Sequence, residues 1–253
     1  MQKKKGASPA TRRAKPAPSL RADAGGRRSV TTEAYRQLRD LIIAGRLAPG
    51  APLIETDLSV RLGVSRTPVR AALQRLQQEG FVDGTTVGHM LRAVVAPLTA
   101  DDMRELFAMV GALEGVAARW AAEVPLAPRQ KLVHELERLN REMSAAARAR
   151  PQQIAYAQDL HERFHQIIVE AAAGRRLRAE LASLQPQAER YGRAYTGASI
   201  HDFHESLNEH DAIIAALGAG DPDAAEQTMA RNWRNGAERY RHVVELHGDR
   251  GAW

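Results

Sequence analysis

Residues 62–80, LGVSRTPVRAALQRLQQEG, place a short turn directly before an amphipathic helix whose first turn is polar and cationic. Ser65 is suited to the N-cap of that helix, because its hydroxyl can accept a hydrogen bond from a free backbone amide. Arg66 and Arg70 share one face. Apolar residues recur at helical spacing on another face, which can pack inward: Val69, Leu73 and Leu76. A second helix after a tight turn, with exposed arginines near its start, is typical of a recognition helix that enters the DNA major groove.

This stretch alone is equally compatible with an ordinary surface helix bearing solvated arginines, and the flanking sequence favours the first interpretation. Upstream, residues 54–62 fit the first helix of a pair, and residues 30–44 form another amphipathic helix that Gly45 ends. Downstream, residues 79–95 read as two short strands around a glycine-containing turn. Three helices followed by a hairpin predict a winged helix-turn-helix domain over residues 29–97.

Composition limits the classes to which this protein can belong. The chain has 253 residues, enough for two ordinary domains, and no cysteine. Disulfides, thiolate catalysis and cysteine-based zinc fingers are therefore excluded, which fits a reducing cytoplasm. No apolar run is long enough to span a membrane, so no membrane partner is expected. The net charge of +6 fits nucleic-acid binding without proving it.

Residues 1–28 differ in composition from the rest of the chain. They are basic and rich in proline, alanine and glycine, and they lack the apolar segment of a secretory signal. We predict a disordered basic tail. Such a tail either adds sequence-independent attraction to phosphates or is simply a solvated segment.

The remaining sequence, residues 98–247, has helical periodicity and no convincing strand. Two residue pairs have the spacing of a capping box: Thr99 with Asp102, and Ser206 with Glu209. Pro186 falls inside a helical stretch at residues 175–196 and is expected to kink or break it. We predict an all-helical bundle of about six or seven helices. The fold class is therefore mainly α, with a winged helix-turn-helix followed by a helical bundle.

Two sets of motifs resemble the GntR family of bacterial transcription regulators. The segment IIAGRLAPGAPLIETDLSVRLGVSRTPVRAALQRLQQEGFV is similar to that family's DNA-binding domain almost throughout. Three later segments resemble the FCD branch, the subgroup like the fatty-acid regulator: ALEGVAARWAA, ERFHQIIVEAAAG and SLNEHDAIIAALGAGDPDAAEQTM. The resemblance covers nearly the whole chain after residue 28.

The resemblance implies a homodimer that binds a palindromic double-stranded DNA operator. It also implies that the C-terminal domain binds a small effector, often a carboxylate, and that this binding changes operator affinity. The positions that match the family's DNA contacts are Ser65, Arg66, Thr67, Arg70, Gly88 and His89. Among them, Arg66 and Arg70 match base- and phosphate-contacting arginines. The glycine and the histidine lie where the wing tip approaches the minor groove.

Three histidines point to a metal site in the helical domain. His161 and His165 are one turn apart, so both project from the same face of one helix. His210 lies on the apolar stripe of a later helix, which directs it into the bundle. Three converging imidazoles suit a borderline metal such as zinc or nickel. Histidine pairs at this spacing also occur without any ligand role, so spacing alone leaves both interpretations open.

The family resemblance strengthens the metal interpretation. Many FCD domains hold a metal through an acidic residue or asparagine, a histidine four residues later, and two further histidines. His165 and His210 match two of those histidines. His161 stands where aspartate or asparagine is usual, and Asn232 stands where the last histidine is usual. The predicted cofactor is therefore a divalent ion, zinc or nickel, with these four residues as its ligands.

A small organic-acid effector also needs a pocket. Arg190, Tyr191 and Tyr195 cluster on one predicted helix and are candidates for its lining, although they equally suit an exposed or interface face. The position that often holds an effector-binding arginine in the family is Val110 here.

An enzyme is the main competing function. The segment HERFH, residues 161–165, has the histidine spacing of HExxH zinc enzymes, with glutamate also second. A helical bundle attached to a DNA-reading domain offers no plausible substrate cleft, so we predict no catalytic residues. A purely architectural DNA-binding protein is a third interpretation, and the large second domain argues against it. The sequence therefore predicts a ligand-responsive transcription regulator of the cytoplasm.

Overall fold

The computed structural model describes residues 22–87, 90–149, 153–195 and 203–247. Its N-terminal part contains α1 (Ala22–Ile43), β1 (Pro52–Leu53), α2 (Glu55–Leu62), α3 (Arg66–Gln78), β2 (Val82–Val87) and β3 (Met90–Val95). The strands are antiparallel in the order β1-β3-β2, and β2 and β3 form the predicted hairpin. The predicted winged helix-turn-helix topology is confirmed.

The turn between α2 and α3 depends on Gly63. Its φ of 66° lies in the left-handed region that favours glycine. The amides of Gly63 and Val64 close the turn on the carbonyls of Val60 and Ser59, at 3.3 and 3.1 Å. From this turn α3 runs with its predicted apolar residues fully buried: Val69, Leu73 and Leu76. Its polar face is therefore left outside the core.

Two features of the N-terminal part differ from expectation. Helix α1 begins at Ala22, so residues 22–28 belong to a helix and not to the predicted tail. Residues 1–21, which make up the rest of that tail, lie outside the described residues. Strand β1 was not predicted, because two residues are too few to show an alternating pattern. They are extended because they pair with Ala93 and Val94 of β3.

The C-terminal part contains α4 (Ala100–Glu123), α5 (Leu126–Arg148), α6 (Ile154–Ala172), α7 (Arg175–Tyr195), α8 (Phe203–Ala219) and α9 (Pro222–His247). Thr99 is the N-cap of α4, and its side chain accepts a hydrogen bond from the amide of Asp102 at 3.2 Å, as predicted. Helix α4 packs most extensively against α9 and also contacts α6, α7 and α8. It therefore runs through the middle of the bundle and contributes to both of its apolar clusters.

Two local predictions in the bundle are wrong. Ser206 lies inside α8 with its side chain buried, so it is not an N-cap, and Glu209 binds Arg239 instead. Pro186 does not break α7, which continues past it. Pro186 is itself buried, so tertiary packing overrides its local preference to end a helix.

Helix α7 connects the two parts of the protein. The side-chain amide of Gln187 donates a hydrogen bond at 2.8 Å to the backbone carbonyl of Glu79, the C-cap residue of α3. The Arg190 guanidinium donates to the carbonyl of Ala96, in the segment between the two parts. One face of α7 is thereby fixed to the end of α3 and to the linker. No helix in the described ranges combines the length and the apolar character that crossing a bilayer requires.

Candidate DNA-contacting face and candidate metal site

The first turn of α3 presents polar side chains to solvent. Ser65 occupies the predicted N-cap position with extended backbone angles, although its hydroxyl caps no backbone amide. Ser65, Arg66 and Thr67 are exposed, and Arg70 follows one turn later with a partly exposed side chain. Four predicted DNA-contacting residues thus share one surface at the start of the helix.

Glu55, which the sequence analysis did not identify, holds both arginines. This buried first residue of α2 accepts two hydrogen bonds from Arg70, at 2.7 and 2.8 Å, and a longer one from Arg66, at 3.3 Å. The hydrogen bonds from Arg70 lower the pKa of Glu55, although burial acts in the opposite direction. Glu55 therefore fixes the direction of Arg70 and leaves Arg66 the freer of the two. An acidic residue in a first helical turn is common, so no sequence signal marked this role.

A groove beside α3 adds a further cation. Arg66 and the exposed Arg92 of β3 both line this groove, which has a volume of about 360 Å³. Gly88 and His89, the predicted wing-tip contacts, lie outside the described residues. Two arginines that line one groove form a surface that suits phosphates and base edges.

The three predicted histidines converge in the bundle. His161 and His165 of α6 and His210 of α8 each offer a ring nitrogen, and these nitrogens lie within 4.8 Å of one another. The ring centroids are 4.8 to 5.5 Å apart. Zinc–nitrogen bonds are about 2.0–2.1 Å long, so one ion can contact all three rings after small side-chain adjustments.

Two of the rings, those of His165 and His210, form hydrogen bonds through Nδ1, which leaves their inner nitrogens, the Nε2 atoms, available to a metal ion. Nδ1 of His165 lies 2.6 Å from a carboxylate oxygen of the fully buried Glu114, and Nδ1 of His210 lies 3.3 Å from the amide oxygen of Asn140. Because both partners are acceptors, each Nδ1 donates, and in a neutral ring Nε2 then keeps its lone pair. Both Nε2 atoms are buried and make no hydrogen bond within the described part of the chain. A carboxylate behind a histidine is a common way to orient a metal ligand.

The protonation state of the cluster suits metal binding. Burial, followed by the neighbouring His165, lowers the pKa of His161 well below its usual value. Burial and the other two imidazoles have the same effect on the pKa of His210. Neutral imidazole is the form that binds metal ions. The donor set, the unpartnered nitrogens of His165 and His210 and the neutral rings of His161 and His210 therefore fit a divalent transition metal.

Asn232, the predicted fourth ligand, is buried on α9. Its side-chain nitrogen donates to Glu209 at 2.8 Å, and Glu209 is held in turn by Arg239. Only the amide oxygen of Asn232 remains for a metal. Its role as a ligand stays a prediction.

A cavity of about 60 Å³ lies beside the histidines. His161 and His165 form part of its wall, together with the aromatic residues Phe107, Trp233 and Tyr240. Helix α7 contributes four further residues at helical spacing: Gln185, Ala188, Glu189 and Gly192. The cavity therefore joins the candidate metal site to the helix that contacts α3.

The residues predicted to line the effector pocket do not line this cavity. Arg190 bonds to the linker carbonyl of Ala96, and the Tyr191 hydroxyl donates to Asp102 at 2.7 Å. Tyr195 is buried in an apolar cluster of the bundle. The prediction is wrong for this cavity because α7 turns a neighbouring face toward the histidines.

Two residues that support the histidines carry a signal that the sequence analysis did not use. Glu114 follows Val110 by one turn on the apolar face of α4, and Asn140 follows Leu136 by one turn on the apolar face of α5. A polar side chain on a core-facing stripe needs a buried partner. A polar residue that interrupts an apolar stripe is therefore the sequence signal that could have identified Glu114 and Asn140.

Comparison with known families agrees with both parts of the structure. Residues 30–84 match the family described as "Bacterial regulatory proteins, gntR family", and residues 105–235 match the FCD domain. This protein belongs to the GntR family. Its FCD domain accounts for the C-terminal bundle.

This GntR regulator is similar to other regulators along most of its length. It is 30% identical to the "Probable D-xylose utilization operon transcriptional repressor" of Paenarthrobacter nicotinovorans, over 83% of this chain and 90% of that protein. It is 27% identical to the HTH-type transcriptional repressor RspR of Escherichia coli K12, over 87% and 92%. A crystal structure described as a transcriptional regulator GntR from Rhodococcus sp. RHA1 has a TM-score of 0.64, 25% identity, and coverage of 84% and 97%.

These comparisons decide between the competing functions. The relatives and both families are transcriptional regulators and not enzymes, so this protein is a DNA-binding transcription regulator. The HERFH segment accordingly has no catalytic role. In the structure its Glu162 pairs with Arg193 at 2.8 Å.

Proposed function

We propose that this protein is a homodimeric regulator that binds a palindromic operator in the cytoplasm and changes its operator affinity when a small carboxylate effector binds beside the histidines. The observation that carries this proposal is the position of α7. One face of the helix lines the cavity through Glu189, and the opposite side bonds to the C-cap of α3 through Gln187. Displacement of α7 by a bound effector would therefore be transmitted to the DNA-contacting helix.

In this proposal, effector binding depends on a metal ion held by the histidines. His161, His165 and His210 would hold zinc or nickel, with Asn232 as a fourth ligand through its amide oxygen. A metal with three neutral imidazole ligands keeps its full positive charge, and an open coordination position can take a carboxylate. The chain supplies the rings, and hydrogen bonds from His165 and His210 to Glu114 and Asn140 orient two of them.

The coupling is tested by Gln187→Leu. This variant keeps side-chain bulk beside Gly80 but loses the donor to the carbonyl of Glu79. One net hydrogen bond contributes about 0.5–1.5 kcal/mol, so we expect the effector-induced change in operator affinity to shrink by about two- to tenfold. Affinity for the effector itself should stay the same. The operator DNA is selected from a random pool, and the effector is an organic acid that raises the Tm of the protein. Fluorescence anisotropy of this DNA measures operator affinity with and without the acid, and titration of the acid gives the affinity for the effector.

The exposed Gln166 of α6 provides a control, because Gln166→Leu makes the same chemical change away from α7. A Gln187→Leu protein whose effector response equals that of the wild type would contradict the proposed route.

The homodimer is proposed to form along an apolar stripe on α4. Four residues at helical spacing leave this stripe open to solvent: Met109, Ala112, Val116 and Trp120. Met109 and Trp120 are among the most exposed large apolar side chains in the described ranges, at 47% and 40%. A self-complementary contact around a two-fold axis would cover the stripe on both copies and match a palindromic operator.

Trp120→Glu is expected to dissociate the dimer. A central aromatic residue in an interface commonly contributes about 2 kcal/mol or more, so the dimer should weaken by about 30-fold or more. Light scattering at micromolar concentration would then give a monomer, and operator affinity would fall because each half-site is bound separately. Tyr156→Glu places the same charge on another exposed aromatic position, on α6, and should remain dimeric. A dimeric Trp120→Glu protein would place the interface elsewhere.

A further inference from the structure

One buried carboxylate joins the candidate metal site to helix α7. Glu114 of α4 is fully buried, and its two oxygens accept hydrogen bonds from side chains of three other helices. Nδ1 of His165 lies 2.6 Å from Oε2, and the Trp233 indole donates to the same oxygen at 2.8 Å. The side-chain amide of Gln185, on α7, donates to Oε1 at 2.6 Å. A hydrogen-bonded path, which we call the Glu114 path, therefore runs from His165 through Glu114 to Gln185.

The donors of the Glu114 path leave the charge of the carboxylate without a formal counter-charge. They are an indole, a primary amide and an imidazole, and none of them is charged when the His165 ring is neutral. A buried carboxylate is costly unless a positive charge lies close to it. A metal ion at Nε2 of His165 places that charge on the far side of the same ring and makes its Nδ1–H a stronger donor to Glu114. The path is therefore held differently in the metal-bound and the metal-free protein.

The path reaches α7 at the point where this helix contacts the DNA-binding part. Gln185 and Gln187 are two positions apart, so their side chains point about 200° apart around the helix axis. Gln187 donates from the opposite side to the carbonyl of Glu79, at the C-cap of α3. Gln185 therefore holds α7 to the metal side of the bundle, while Gln187 holds it to α3.

Pro186, between these two glutamines, leaves α7 one backbone hydrogen bond short. Proline has no N–H, so the carbonyl of Ala182, four residues earlier, lacks its helical donor. That carbonyl accepts a hydrogen bond from the guanidinium of Arg39 on α1, at 3.4 Å. The same short stretch of α7 thus contacts α1, α3 and Glu114. A change at Glu114 acts on α7 where the helix is least constrained by its own hydrogen bonds.

We propose that the Glu114 path makes operator affinity depend on metal occupancy itself, with Gln185 as the residue that positions α7. Zinc then changes the affinity for DNA without any organic acid. This inference rests on the metal site of the proposed function. It goes beyond that function because the metal becomes a signal and not only a fixed part of the effector site.

Operator titrations without any organic acid test the wild type. Full-length protein stripped with a chelator, which is then removed, is compared with the same protein loaded with zinc, by fluorescence anisotropy of the selected operator DNA. Coupling between two sites commonly changes affinity by about 5- to 150-fold, so we expect the two operator affinities to differ by about fivefold or more. A smaller difference, or a failure of zinc to bind, would overturn the proposal. His165→Ala, which removes a metal ligand, should show no effect of zinc.

Gln185→Met then assigns the coupling to the Glu114 path. Methionine is similar in length and in helix propensity but cannot donate a hydrogen bond to Glu114. The effect of zinc on operator affinity should shrink by about two- to tenfold. Gln185→Asn, whose amide is one methylene shorter, should show the same loss if the methionine variant does not fold. Gln227→Met makes the same change at an exposed position of α9 and is the control.

Zinc affinity gives a second readout that a merely structural role of Gln185 does not change. Linkage requires operator DNA to alter zinc affinity by the same factor by which zinc alters operator affinity. Competition with a zinc-binding dye, with and without saturating operator DNA, measures that factor. In Gln185→Met the factor should shrink equally in both titrations. A factor that keeps its wild-type size, even if both affinities fall, would exclude Gln185 as the positioning residue.

The outcomes separate this inference from the proposed function. If organic acids change the operator affinity of the zinc-loaded protein but zinc alone changes nothing, the proposed function stands and this inference fails. If zinc alone changes operator affinity and no organic acid does, the inference stands and the carboxylate effector of the proposed function fails.

Discussion

Replacing His165 by alanine is expected to reduce bound zinc or nickel from about one ion per chain to near zero. His165 offers a buried inner nitrogen whose direction is fixed by Glu114 at 2.6 Å, and the other two histidines alone form an incomplete site. The measurement is elemental analysis of protein purified without chelator, then reloaded with zinc or nickel and desalted. Because a structural metal stabilises only the folded state, wild-type Tm should also rise with added zinc while the Tm of His165→Ala should not.

Two variants make this result interpretable. His134 on α5 is largely exposed, so His134→Ala should bind as much metal as the wild type. His161 lies at the edge of the cluster and is less buried than His165, so His161→Ala provides a second ligand deletion that leaves Glu114 paired. Near-zero metal in the wild type after both purification and reloading would exclude metal binding at the three histidines. The three histidines would then be free to bond directly to the effector.

Replacing Arg66 or Arg70 by alanine is expected to weaken operator binding by about 1–3 kcal/mol each, which corresponds to about 5- to 150-fold. Arg66 is the more exposed of the two, at 53%, and lines the groove that it shares with Arg92. Arg70 is directed by its two hydrogen bonds to Glu55. Both effects should appear in titrations of selected operator DNA at physiological salt.

Arg66→Lys distinguishes the two kinds of contact. Lysine keeps the charge but lacks the planar fork that binds guanine through two hydrogen bonds. If Arg66 reads a base, the lysine variant should lose sequence preference. If it contacts only phosphate, binding should be largely restored. Arg141→Ala is the control. It removes one exposed positive charge from α5, in the C-terminal bundle, and should change operator binding little. Operator affinity unchanged in both alanine variants would exclude this face of α3.

The sequence predicted the elements whose local signals agree with their final environment. The apolar spacing of Val69, Leu73 and Leu76 is a property of α3 by itself, and all three are buried. Likewise, His161 and His165 are four residues apart on one helix, so their common direction follows from helix geometry alone. The motifs of the two families are also contiguous in sequence, which is why the family and the mainly α fold were predictable.

Tertiary packing decided the features for which local signals were weak or misleading. Ser206 and Glu209 have the spacing of a capping box, yet α8 already begins at Phe203. Ser206 is buried in the bundle, and Glu209 forms an ion pair with Arg239 on α9. Pro186 predicts a kink or a break in the helix, yet α7 continues past it. In both cases contacts with distant residues outweigh a local preference that amounts to about 1–3 kcal/mol.

The supporting residues of the two candidate sites depended on packing in the same way. Glu55 meets Arg70 across 15 positions, and Glu114 meets His165 across 51. The sequence by itself determined which residues carry charge or a metal-binding nitrogen, and on which helix face each lies. Only the tertiary structure decided which face of α7 meets the histidines, and that Glu114 and Asn140 stand behind His165 and His210. The physical reason is that a helix fixes the relative directions of its own side chains, whereas the rotation and position of one helix against another are set by the whole core.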